Sequence, residues 1–253
     1  MSDIPFDCEW REDHIDVFQT DGKNRYDHGI YDLIQPNICG LCGNPNIIAK
    51  NRECNEKYLH RKLLNNVDRT YQIGYHYKPA VREFMKKNDL LTGHIWKLKK
   101  NWHAIYAKPL GKAMFLLIKH RAPDLLDADM IVPVPNHVDD EDRDVKAVAL
   151  ANELGDQFKQ NGKKARVIPA LRKIINISTR GMSRDRKEEV VDQGMFEYDN
   201  KTSISNQKII LVDDVLTNGI IKGKCASLLR ENGANTIWGV VAGRNFSIPI
   251  YDY

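Results

Sequence analysis

What this chain has little of narrows it first. Its 253 residues include five cysteines, an odd number spread unevenly, so no disulfide framework is implied. No apolar run approaches the roughly 20 residues that span a bilayer, which argues against a membrane helix. The first residues, Met1-Ser2-Asp3-Ile4-Pro5-Phe6-Asp7-Cys8, lack the basic start and apolar run of a secretory signal, so the expectation is a cytoplasmic protein. Neither sign of charge dominates. Lys and Arg number 38 against 34 Asp and Glu, a net +4 that is too small for a polyanion binder acting by bulk charge. Internal repeats and low-complexity segments are also missing. What remains is 42% apolar, enough to bury a full core as one large domain or as a domain plus an appendage.

One stretch organises the rest: Ile209-Ile210-Leu211-Val212-Asp213-Asp214-Val215-Leu216-Thr217-Asn218-Gly219. Four branched apolar residues in a row predict a strand buried on both faces, as in a parallel sheet. Two carboxylates stand where that strand ends, a short loop closes on Gly219, and Ile221, Ala226, Leu228 and Leu229 suit an amphipathic helix. Strand, acid pair, small loop and helix N-terminus surround one small anion with N–H donors and place hydroxyl acceptors beside it. A 5-phosphorylated ribose needs that combination. The competing reading is a buried strand ending in an Asp-rich turn, although the carboxyl end of a strand is the usual ligand position in an open α/β sheet.

This stretch resembles the phosphoribosyl pyrophosphate (PRPP) motif of type I phosphoribosyltransferases. The resemblance implies that Asp213 and Asp214 face the ribose hydroxyls. It also implies that Val215, Leu216, Thr217, Asn218 and Gly219 wrap the 5-phosphate, with Thr217 Oγ as an extra donor. Two positions depart from the family pattern: Asn218 stands where a second Thr is usual, and Ile221 where a Thr or Ser is usual.

Earlier in the chain, residues 1–36 are polar and weakly periodic, and read as irregular or adapted to a partner. Cys39-Gly40-Leu41-Cys42-Gly43 has the form of a metal knuckle, with Cys54 at a plausible third-ligand distance and His60 or Cys8 as the fourth ligand. The expected ion is structural Zn²⁺; free thiols are the other reading. Between 78 and 121, Lys78, Arg82, Lys86, Lys87, Lys97, Lys99, Lys100, Lys108, Lys112, Lys119 and Arg121 are interleaved with Phe84, Trp96, Trp102, His103 and Tyr106. Such a mixture suits single-stranded nucleic acid; the bland reading is two solvated helices whose aromatics turn inward. Ala107 to His120 fits an amphipathic helix.

Asp129-Met130-Ile131-Val132-Pro133-Val134-Pro135-Asn136-His137 reads as a short strand that its prolines force out of the sheet. Together with the Cys knuckle, the basic helix and the PRPP motif, in that order, this segment resembles the ComF family, the competence-associated branch of the type I phosphoribosyltransferases. The likeness covers roughly 39–245. It implies that Pro133, Val134, Pro135, Asn136 and His137 form a pyrophosphate loop. Departing from the family's Arg-rich continuation, the chain runs Asp139-Asp140-Glu141-Asp142, with Arg143 and Lys146 as the local cations. Ala165 to Ile168 predicts a further strand. After it, a basic, weakly periodic segment including Arg180, Arg184 and Arg186 is expected to form a lid that neutralises pyrophosphate and excludes water; a surface loop that happens to be basic is the alternative. Trp238 to Ala242 predicts a last central strand.

The expected fold is α/β: a mostly parallel twisted sheet with helices on both faces, preceded by a small Cys-knuckle segment. The expected division is 1–77 and 78–253. The resemblance implies PRPP and Mg²⁺ binding and transfer of phosphoribosyl to a nitrogen base. A second reading keeps the fold as a weak or inactive PRPP- or nucleotide-binding module, working with protein partners in a DNA-uptake or processing system.

Overall fold

The computed structural model describes residues 6–12, 14–20, 25–33, 66–77, 89–100, 103–135, 145–179 and 181–246. A five-stranded sheet forms the centre. Its strands are β4 (Arg69–Tyr77), β5 (Met130–Pro133), β6 (Arg166–Val167), β9 (Lys208–Leu216) and β10 (Thr236–Phe246), in the order β4-β10-β9-β5-β6, and every neighbouring pair is parallel. This is the expected sheet. The expected strand Ile209–Val212 is its middle member, and those four residues are fully buried. Ile210 and Val212 pack into one core, Ile209 and Leu211 into the other. A run that is apolar at every position is thereby explained: both faces of β9 are covered.

The first face carries α1 (Leu90–Lys99), α2 (His103–Arg121) and α3 (Val145–Gln160). Asp89 caps α1 by accepting from Thr92 N–H at 2.7 Å. Gly111 lets α2 lie against α3; a Cβ there would stand 2.5 Å from Glu153 Cβ. The second face carries α5 (Ile220–Glu231), with Cys225, Ala226 and Leu229 turned inward. It also carries α4 (Arg184–Asp192) and an antiparallel pair, β7 (Leu171–Lys173) with β8 (Phe196–Tyr198).

Residues near the N-terminus depart from expectation. Instead of irregular chain, β1 (Phe6–Trp10), β2 (His14–Thr20) and β3 (Arg25–Asp32) form an antiparallel sheet. The alternations Phe6/Cys8 and Ile15/Val17 bury one side of it against α1 and α2 in the first core. Tyr31 Oη and His94 Nδ1 stand 2.6 Å apart, joining β3 to α1 inside that core. β4, on the N-terminal side of the division drawn at 77/78, is an edge strand of the main sheet. Among the described residues no helix is long and apolar enough to cross a membrane.

Candidate functional site

The connections place the site. From β5 the chain crosses through α3 to β6, on one side; from β9 it crosses through α5 to β10, on the other. The sheet therefore changes direction between β5 and β9, and ligands of open α/β sheets sit outside the carboxyl ends at such a point. The β5–β9 ladder stops at Pro133 and Val212, extended by one bond from Val134 N–H to Val212 O at 2.9 Å. Beyond it, among the described residues, 213–216 pair only with β10.

A cleft of about 130 Å³ lies there, lined by Lys99, residues 213–219, Ile221 and Lys222. It is far larger than the ~15 Å³ that admits one water. Gly219 sits at φ +74°, a left-handed conformation that favours glycine, and turns the chain into α5. Asn218 Oδ1 accepts weakly from Ile220 N–H at 3.5 Å, and no acid occupies the first turn of the helix. The leading N–H groups of α5 thus border the cleft without a carboxylate competing for them. Thr217 is exposed on the loop, and Ile221 gives an apolar wall.

The acids are not alone. Asp213 Oδ1 accepts from Asp214 N–H at 2.8 Å. Lys99, at the last turn of α1, brings Nζ within 3.4 Å of Asp214 Oδ2. Lys222, in the first turn of α5, is 2% exposed, and its Nζ has no hydrogen-bond partner. Burial, and then the neighbouring Asp214, push the Asp213 carboxyl up to about 7, with Lys222 pulling the other way. Burial pushes the Lys222 ammonium down to about 8 against the attraction of Asp213. Neither lysine was singled out for this site from sequence. Lys222 falls on the inward stripe of a helix, a position where a hydrophobic residue is the norm.

The other expected site residues scatter. Pro133, Val134 and Pro135 are buried at the end of β5. Two of them have no N–H, and that of Val134 is spent on Val212. Asn136 and His137 lie outside the described residues, as do the acid run 139–142, Arg143, Arg180, the side chain of Arg184, and the zinc set Cys39, Cys42, Cys54 and His60. Cys8, the other fourth-ligand candidate, is buried with Sγ donating to Pro109 O at 3.5 Å, and burial pushes its thiol up to about 12. Among the described residues no group of three His, Cys, Asp or Glu could hold a metal.

The expected lid is more ordered than a loop. Ser183 caps α4, and Val190, Val191, Met195 and Phe196 join the core beneath α5. Arg186 pairs outward with Glu189 at 2.7 Å. Among the described cations of this segment Lys187 feels the charge of Asp213, although burial lowers its pKa. In the basic stretch, Lys112 pairs with Asp7 at 2.5 Å, Lys100 lies over the Trp96 ring at 3.8 Å, and Lys99 serves the cleft. Lys78, Arg82, Phe84, Lys86, Lys87 and Trp102 lie outside the described residues.

No family model matches this chain, and no curated protein matches it. Among solved structures it is similar to the glutamine PRPP amidotransferase from B. subtilis complexed with ADP and GMP. Identity is 16%, over 55% of this chain and 27% of that one, with TM-score 0.33. It is similar at 14% identity to a structure described as the allosteric regulatory enzyme of purine biosynthesis, over 55% and 26% of the two chains, TM-score 0.35. A hypoxanthine phosphoribosyltransferase from Staphylococcus aureus is 12% identical over 61% and 74%, TM-score 0.33. The matched region spans about a quarter of the first two proteins' length.

Proposed function

We propose that this chain is a ComF-like phosphoribosyltransferase that binds PRPP where β5 and β9 part, and passes its phosphoribosyl group to a nitrogen base. One observation carries the reading. At the switch point of a parallel sheet, a single cleft holds two adjacent carboxylates, a left-handed glycine and the acid-free N-terminus of α5. The 5-phosphate takes the 215–219 loop, and the vicinal hydroxyls donate to Asp213 and Asp214.

Substitution at ribose C1 passes through a cation-like sugar, so the protein's work is orientation and charge balance rather than covalent chemistry. Carboxylates beneath the ribose favour positive charge on the ring. Lys187, which feels the charge of Asp213, is the cation this reading assigns to departing pyrophosphate. The described residues bring no three His, Cys, Asp or Glu together, and Asp214 is already engaged by Lys99, so they do not make a Mg²⁺ site by themselves. Mg²⁺ brought with the substrate would supply further neutralisation of the diphosphate's charge. A zinc knuckle at Cys39, Cys42, Cys54 and His60 belongs to the same proposal, and metal analysis of Cys39→Ser tests it.

PRPP with Mg²⁺ should raise Tm, and pyrophosphate should be released with one member of a panel of bases. Asp213→Asn with Asp214→Asn should abolish the shift; a shift that survives places the site elsewhere. A shift without pyrophosphate release from any base favours the second reading, a binding module. The nucleic-acid face of that reading rests on Trp96, 48% exposed beneath Lys100. Binding of single strands that weakens steeply with salt would support it.

A further inference from the structure

Among the described residues four ionisable side chains line the cleft, and they sum to zero: Asp213 and Asp214 against Lys99 and Lys222. The two lysines differ in surroundings. Lys99 is a third exposed and already engaged, with its side chain 34% accessible and Nζ 3.4 Å from Asp214. Lys222 is 2% exposed, and its three N–H donors meet no acceptor. Keeping an ammonium dry and without hydrogen bonds is costly, yet the fold makes space for it. Gly239 of β10 lies beneath its stem, and a Cβ there would come within 3.3 Å of Lys222 Cδ. The loop that would surround an anion offers one hydroxyl, Thr217, while Ile221 presents only methyl groups. Among the described residues, the cations that could help hold a phosphate are Lys99 and Lys222.

We propose that Lys222, together with Lys99, is a built-in countercharge: when a pentose 5-phosphate enters, its vicinal hydroxyls take over Asp213 and Asp214, and its phosphate takes over the two ammoniums. The exchange leaves every charge partnered and needs no divalent cation for the sugar-phosphate itself. It rests on the sugar-phosphate reading above and adds to it the two cations, Lys222 and Lys99, that hold a pentose 5-phosphate there without a metal.

Calorimetric titration of the full chain with ribose 5-phosphate, once in EDTA and once in Mg²⁺, tests this. The native chain should bind in EDTA. Lys222→Met and Lys99→Met should each weaken binding by roughly tenfold or more, the loss expected for a charge-assisted contact. Lys224→Met, on the same helix but outside the cleft, should leave it unchanged. Equal affinity of Lys222→Met and the native chain overturns the proposal and leaves the sugar-phosphate reading standing, as does binding that appears only with Mg²⁺. Absence of binding by both ribose 5-phosphate and PRPP overturns the two together. Should Lys222→Met fail to fold, Lys99→Met at the exposed end of α1 decides by the same criteria.

Discussion

Exchanging the two buried charges Asp213 and Lys222 for neutral side chains of similar size, Asp213→Asn with Lys222→Met, should make the ligand-free protein more stable. The carboxyl moves from 3.8 to about 7 because it is buried beside Asp214. The ammonium moves from 10.5 to about 8 because it is buried. At about 1.4 kcal/mol per tenfold, the carboxyl's displacement opposes folding by at most about 4 kcal/mol. Replacing buried ion pairs by neutral groups is often neutral or gains about 1–4 kcal/mol, and in a chain of this size each kcal/mol shifts Tm by roughly 2–4 °C. The sign depends on pH. A carboxyl raised in the fold contributes stability that is complete below about 4 and lost as pH rises through about 7. A lowered lysine contributes stability that is complete above about 10.5 and lost as pH falls through about 8. Both losses coincide between about pH 7 and 8, so the double variant's advantage should peak there and shrink near pH 5 and pH 10. Urea unfolding at the three pH values measures it. A double variant less stable than the native chain at about pH 7.5, or a gain that does not vary with pH, refutes the reasoning.

Three further outcomes follow from packing. Gly239→Ala would place a Cβ 2.9 Å from Thr70 Oγ1 and 3.3 Å from Lys222 Cδ, so it should cost about 1–3 kcal/mol in urea unfolding. Asp68 Oδ2 accepts from Ile237 N–H at 2.7 Å and from Arg230 at 2.6 Å, tying the approach to β4 to β10 and α5. Asp68→Ala should therefore cost about 1–2 kcal/mol, and Arg230→Ala less, since the latter leaves the Ile237 bond in place. Cys8 and Cys225 are fully buried, and burial raises both thiols, so neither should react with a thiol reagent until the chain unfolds. Rapid labelling of either in the native protein would contradict the packing.

The central strand was legible because burial on two faces leaves an unbroken apolar run, and Ile209 to Val212 has no polar interruption. The turn after it was legible because only certain residues make such a turn, and Gly219 takes the left-handed backbone that a glycine there permits. The exit of β5 was equally plain, since Pro133 and Pro135 cannot extend a ladder. The N-terminal sheet was harder. Its buried residues alternate with charges, as in Cys8-Glu9 and Asp16-Val17, and two-residue repeats so short are easily read as irregular chain. The 180s segment was dominated by its charges, yet Ser183 followed three residues later by Arg186 is a helix start whose backbone bond the structure contains. Lys99 and Lys222 were out of reach for a different reason. Lys99 reaches Asp214 across 115 positions of sequence, and Lys222 is brought to the same cleft by the fold, and no local pattern encodes either placement.

The small sheet formed by β1 to β3 has a consequence for the cleft it never touches. It backs onto α1 through Tyr31, Phe6 and His94, and the far end of that helix delivers Lys99 to Asp214. The first strands thus act as a foundation that aims a charge. Damage to them would be felt at the opposite end of the helix as a displaced ammonium.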